Sequence, residues 1–176
     1  MDRREFANFA MALRTYYPKE QILPNDQAME LWYRELQDIP FNVAEAALRK
    51  WVSTQKWSPS IAEIREMASG ITHEEIPDWT EGWERCCRAI SKYGFYRQKE
   101  AMASLDPLTR ECVKRLGFNQ LCMSENVAAD RANFRTCYEA LAKRKKIDQQ
   151  MALPLQEAIS LIQQTNGLLK LGGGNE

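Results

Sequence analysis

Apolar residues recur along this chain at steps of three and four, the spacing that lines one face of an α-helix. Phe6, Phe9, Ala10, Leu13 and Tyr17 predict a first helix over residues 2–17. Pro18 stops it, because proline has no N–H to give and its ring clashes with the preceding turn. Asn25 is placed to cap a second helix whose inner stripe is Met29, Trp32, Leu36 and Ile39. Arg34, Glu35 and Asp38 turn to water, and Pro40 ends that helix. Asn42 with Glu45 reads as a capping pair for a third helix striped by Val43, Ala47, Leu48, Trp51 and Val52. Ser60 and Glu63 form an S-x-x-E capping box ahead of a fourth, lined by Ile61, Ile64 and Ala68, with Gly70 as its stop. Residues 1–70 therefore predict a four-helix domain.

The periodicity breaks over residues 71–78, ITHEEIPD, which reads as a linker. Asp78 then caps a helix marked by Trp79, Trp83, Cys86 or Cys87, Ile90 and Tyr93 and closed by Gly94. A short helix follows around residues 97–105. Asp106-Pro107 is a cap with proline in the first turn, opening a helix with Leu108, Cys112, Val113 and Leu116 that runs to Gly117. Residues 118–126 predict a short helix or turn. A long helix over 127–144 turns Ala132, Phe134, Cys137, Tyr138 and Leu141 inward. Residues 79–146 make a second helical domain. The segment 147–176 differs: Leu155, Ala158, Ile159 and Ile162 form a stripe beside Leu161, glutamines fill the polar side, and Leu168 and Leu169 follow Gly167. It is apolar enough to bind something and too short to hold a core, since isolated helices under about 12–15 residues are marginal in water.

Composition supports an all-α fold. Nineteen alanines stand against four valines, which favours helix over sheet. With 24 Lys+Arg against 24 Asp+Glu, no global steering toward nucleic acid or membrane follows. The longest apolar run is far short of the roughly 20 residues that span a bilayer. The opening MDRREF lacks the apolar core of an export signal, so a cytoplasmic location is expected. Five cysteines, at 86, 87, 112, 122 and 137, include no C-x-x-C pair. They predict buried or half-buried thiols rather than disulfides or a metal site.

Catalytic patterns are missing: no phosphate-binding loop, dinucleotide fingerprint, zinc-protease helix or nucleophile elbow is found. His73 lies alone in the predicted linker, a poor place for catalytic geometry. The expectation is a non-enzyme with no cofactor. Trp32 and Trp51 fall on core faces, whereas Trp57 sits in a loop as either a partner anchor or a lid on the bundle. Lys143, Arg144, Lys145 and Lys146, with Arg131 and Arg135 upstream, are the candidate nucleic-acid contacts, or else a solvated helix C-terminus.

The order of residues in the first domain resembles the helicase loader/inhibitor family of Gram-positive phages. The resemblance rests on Tyr17-Pro18, Trp32, Asp38-x-Pro40, Trp51 and the run Trp57-Ser58-Pro59-Ser60-Ile61-Ala62-Glu63-Ile64-Arg65, and covers residues 5–69. It implies a small helical domain with a C-terminal tail that grips the hexameric replicative helicase. Members of that family have no ATPase of their own, hold the helicase inactive and deliver it to an origin-bound initiator and DNA. Carried over, the grip falls on Leu155, Ile159 and Ile162, with Leu168, Leu169 and Trp57 as further partner contacts. Residues 78–146 depart from the simplest members of the family and read as a second module.

The sequence thus predicts an all-α replication accessory protein acting by contact. Two readings compete with it: a DNA-binding replisome organiser or transcription regulator, and a pure inhibitor of a host helicase or loader.

Overall fold

The computed structural model describes the backbone of residues 1–172 and the side chains of residues 1–165. Among these the regular elements are all helical, as the sequence predicts. They are α1 (Arg3–Tyr16), α2 (Asp26–Leu36), α3 (Phe41–Thr54), α4 (Ile61–Thr72), α5 (Trp79–Tyr93), α6 (Gln98–Ser104), α7 (Pro107–Leu116), α8 (Phe118–Met123), α9 (Val127–Gln150) and α10 (Leu153–Gly172), with a single-turn helix at Phe95–Arg97. No described helix is long and apolar enough to cross a membrane. The chain divides into two compact units. Unit 1 joins Met1–Glu74 to the segment from Asp148 onward, and unit 2 is Glu75–Ile147. The C-terminal segment, which sequence sets apart as a tail, therefore groups with the N-terminal helices.

In unit 1 the caps decide where helices begin. Asp2 accepts the Glu5 N–H while the Glu5 carboxylate accepts the Asp2 N–H, both at 2.8 Å. Asn25 Oδ1 accepts the Ala28 N–H at 2.9 Å, and Ser60 with Glu63 closes the capping box that the sequence marks. Such caps are each worth about 1 kcal/mol. The faces so presented bury Phe6, Phe9, Leu13, Leu36, Leu48, Trp51 and Ile64 in one core. Trp32 is only half-buried at its edge.

Three expectations change. The Asn42–Glu45 cap does not form: α3 starts at Phe41 with Pro40 as its cap, so Ala44 rather than Val43 leads the buried face. Gly70 does not stop α4, which runs two residues further and ends at His73. Nothing crowds Gly70, and the Thr72 hydroxyl donates to the Ala68 carbonyl at 3.1 Å. Asp38 does not turn to water. Its side chain is 13% exposed and meets Arg65, 11% exposed, in a two-pronged ion pair with both prongs at 2.8 Å.

That ion pair is a junction of four segments. Arg65 also donates to the carbonyls of Glu35, at 2.6 Å, and Gln150. Asp38 accepts the Leu153 N–H at 3.3 Å. The C-terminal segment is thus hydrogen-bonded to α4 and to the end of α2. Burial alone would push the Asp38 carboxyl up; the hydrogen bonds and charge of Arg65, joined by the Leu153 N–H, outweigh it and hold the group below its ordinary 3.8.

Unit 2 has its own core of Cys86, Leu105, Leu108, Cys112, Val113, Phe118, Phe134, Tyr138 and Leu141. Asp78 accepts from the Thr80 N–H at 2.8 Å and from its hydroxyl at 2.6 Å, leaving Glu81 to pair with Arg85. Asp106 caps α7 by accepting the Leu108 and Thr109 N–H groups, both at 3.1 Å, with Pro107 in the first turn. Gly94 and Gly117 close α5 and α7 at φ of +63° and +87°, the left-handed region that a Cβ disfavours. Ala132 is exposed rather than inward, because α9 turns Phe134, Tyr138 and Leu141 into the core instead. Cys86 and Cys112 are buried, and burial pushes the Cys86 thiol up to about 12. Cys87, about 100° further round α5, is exposed, contrary to the expectation of a buried or half-buried thiol.

Arg65→Ala leaves Asp38 unpaired in a nearly closed site and lowers the stability of unit 1 by about 3 kcal/mol in urea unfolding. Amides around residues 150–156 lose hydrogen-exchange protection with it. A depressed folded-state pKa means that the pair's contribution is complete above the ordinary value and lost as pH falls through the lower folded one. Acidification below 3.8 therefore erodes the same protection in the wild type, and Asp38→Asn removes that pH dependence. In unit 2, a Cβ on Gly82 would stand 2.5 Å from the Tyr138 ring, which is buried and stacked on Phe134 at 5.6 Å. Gly82→Ala destabilises unit 2 by about 1–3 kcal/mol, read by thermal unfolding, and Tyr138→Leu in the same chain recovers part of the loss.

Candidate partner-binding surfaces

Trp57 is held by its backbone and offered by its ring. The Trp51 indole N–H, rooted in the core, donates to the Trp57 carbonyl at 2.9 Å. The next residue is tied as well: the Ser58 N–H donates to Glu20 at 3.4 Å, and its hydroxyl donates to the other oxygen of the same carboxylate. Pro59 is buried, and Ser60 opens α4. A loop pinned at three consecutive residues loses little entropy on binding, yet the Trp57 ring is 58% exposed. The ring therefore does not seal the bundle.

The second surface is the outer face of α10. Leu155, Ile159 and Ile162 are spaced four and three residues apart, so they share one side of the helix. Leu155 is 47% and Ile162 59% exposed, with Ile159 half-buried between them. Leu161, around the helix, is 64% exposed. The Gln156 amide donates to the carbonyls of Asp148, at 2.6 Å, and Met151, at 2.9 Å, which fixes the first turn of α10 on the end of α9. The side chains of Leu168 and Leu169 lie outside the described residues.

The sequence-marked cations separate into two groups. Lys143, Arg144, Lys145 and Lys146 project from the exposed last turns of α9. Arg131 and Arg135 instead stack over the Trp79 ring, at 5.3 Å and 5.2 Å from its centre, and Arg135 also pairs with Glu139 at 2.8 Å. These two arginines are engaged within unit 2. His73 is exposed, as are Glu74 and Glu75. Sequence reasoning missed the pinning role of Glu20 and the Arg65–Asp38 junction. An arginine and an aspartate 27 positions apart carry no local signal of pairing.

These features define a helical protein whose candidate surfaces are apolar anchors on fixed supports and exposed cations. Residues 1–65 match the family G39P_N, the N-terminal domain of a helicase loader/inhibitor protein of the Gram-positive phage SPP1. The match covers α1 to α3 and the start of α4, and ends on Arg65. No curated protein and no solved structure matches the chain.

The two tryptophans of the pinned loop separate support from display. Trp57→Ala changes unfolding free energy by no more than about 0.5 kcal/mol, as for an exposed side chain. Trp51→Phe loses the bond to the Trp57 carbonyl and destabilises by about 1–2 kcal/mol in the same urea titration.

Proposed function

We propose that this chain is a phage DNA-replication accessory protein that binds the hexameric replicative helicase and helps to load it, holding it inactive until delivery to an initiator or DNA. The observation that carries this reading is the match of residues 1–65 to the N-terminal domain of a helicase loader/inhibitor. The apolar anchors agree with it. The proposed work is done by contact in the host cytoplasm, with no covalent step.

In this reading Leu155, Ile159 and Ile162 fill a groove on the helicase and supply most of the affinity, as a helix-in-groove contact does. Leu168 and Leu169 extend that face, and Trp57 makes a second contact on unit 1. The Arg65–Asp38 junction keeps the start of α10 attached to the rest of unit 1, so the helix and Trp57 are presented by one unit. Lys143, Arg144, Lys145 and Lys146 are placed to touch phosphates at delivery, and there they tune encounter rate and salt dependence more than affinity.

The test is co-purification with the replicative helicase of a Gram-positive host. The wild-type chain is expected to form a complex that survives gel filtration. Changing Leu155, Ile159 and Ile162 together to Asp is expected to abolish it with little change in thermal unfolding, since Leu155 and Ile162 are exposed and Ile159 is only half-buried. A complex retained by the triple variant removes α10 as the grip, and no complex with the wild type removes the loader reading itself. Stimulated unwinding after addition of initiator and DNA marks a loader; persistent inhibition marks a pure inhibitor.

A further inference from the structure

The zero net charge of the chain conceals a division. Unit 2 holds 14 Lys/Arg against 10 Asp/Glu, and the residues of unit 1 hold 10 against 14. Part of the excess in unit 2 is gathered around one groove of about 410 Å³ between α5 and the turn from α6 into α7. Arg85, Arg88 and Lys92 line it from α5 at steps of three and four, so they form a single row. Ser104, Leu105 and Asp106 face them.

The cations in this row are not equivalent. Arg85 is committed to Glu81 and, at 3.0 Å, to Asp106. Asp106 in turn is held by two backbone N–H groups, so its charge is already answered. Arg88 makes only a long 3.4 Å bond to the Glu84 carbonyl, and Lys92 lies 5.2 Å from the centre of the Tyr93 ring. Arg97 approaches the same ring at 5.2 Å. Immediately beyond Tyr93, the left-handed turn at Gly94 throws out two aromatic rings. Phe95 is 41% exposed, and Tyr96 is 95% exposed, braced edge-on against Phe95 at 5.4 Å.

We infer that unit 2 binds single-stranded nucleic acid along this groove and on past its Tyr93 end, with Arg88 and Lys92 taking backbone phosphates in the groove and Tyr96, three residues beyond Tyr93 and supported by Phe95, stacking a base outside it. The pairing of cations that have no carboxylate partner among the described residues with open aromatic faces is what selects this ligand. Single strands present both phosphates and free base faces, and stacking on aromatic side chains is how sequence-tolerant binders hold them. A duplex keeps its base faces inside the stack, and an acidic peptide has no use for Tyr96. This site is separate from the cations at 143–146 and does not depend on helicase binding.

The test is fluorescence anisotropy of the full chain with a labelled oligothymidylate of about 20 nucleotides, long enough for a strand-binding groove. No helicase is present, so the outcome is independent of the loader reading. Saturable binding is expected, with the log of the affinity falling linearly with log salt. Tyr96→Ala is expected to weaken it at least about fivefold, the lower bound for losing one stacked base. Arg88→Ala with Lys92→Ala is expected to flatten the salt slope by about 1.4, at about 0.7 per phosphate contact. These side chains are exposed or line an open groove, and circular dichroism melts of the variants should match the wild type. Changing Lys143, Arg144, Lys145 and Lys146 together to Ala should leave binding in place. The inference is overturned by absence of binding at low salt, by unchanged binding in both groove variants, or by its loss in the 143–146 variant. Equal affinity for a duplex of the same length overturns it as well. Displacement by polyglutamate as effective as by unlabelled oligothymidylate does the same, and reassigns the groove to an acidic protein partner.

Discussion

The ion pair between Arg65 and Asp38 organises unit 1. One guanidinium reaches α2 through the Glu35 carbonyl and the Asp38 carboxylate, and reaches the chain's last segment through the Gln150 carbonyl. The carboxylate completes the circuit by accepting the Leu153 N–H. Arginine suits this task because its donors form a rigid planar fork: Nη1 and Nη2 serve the carboxylate, Nη1 also serves the Glu35 carbonyl, and Nε serves the Gln150 carbonyl. A lysine has no such fork and would leave carbonyls or a carboxylate oxygen without a donor. The pair's value is directional as much as energetic, since a nearly buried ion pair contributes little net stability against an apolar alternative but severely penalises a missing partner.

That junction gives the display of surfaces its logic. Trp57 and the outer face of α10 are both apolar features in solvent, and both stand on supports fixed by hydrogen bonds to the same unit. In unit 2 the exposed rings at Phe95 and Tyr96 likewise follow a fixed turn. Exposed apolar groups are common on proteins and need no explanation singly. What distinguishes these is that the backbone beneath each is held while the side chain is left uncovered.

Much of the fold was legible in sequence because helix signals are local. Aromatic and leucine spacing, Pro18, Asn25, the Ser60–Glu63 box and Asp106-Pro107 act within a turn or two of themselves, and each appears where the pattern put it. The errors also have local causes. Asn42 has no capping role because Pro40 sets a backbone from which α3 starts at Phe41, two residues earlier than an Asn42 cap would place it. Gly70 was read as a stop, but glycine ends a helix only when the chain turns left-handed there, as it does at Gly94 and Gly117. Leu23 shows the opposite limit. It is a buried leucine in the left-handed region at φ +54°, held by Arg14 donating to the carbonyls of Ile22 and Leu23. No sequence rule forecasts that. The candidate surfaces were legible only in part: Trp57 and the α10 stripe stand out by composition, whereas the groove beside Arg88 requires α5, α6 and α7 to be placed in space before its lining can be seen as one group.

The chain order of the two units carries a consequence for synthesis. All of Glu75–Ile147 leaves the ribosome before Gln150 and Leu153 do, so unit 2 is complete while Arg65 and Asp38 still wait for their last partners. Domains emerge and fold in order of translation. During that interval Arg65 and Asp38 hold each other without the Gln150 carbonyl and the Leu153 N–H. Unit 1 therefore completes its hydrogen-bonded junction only after the sequence of unit 2 has been made.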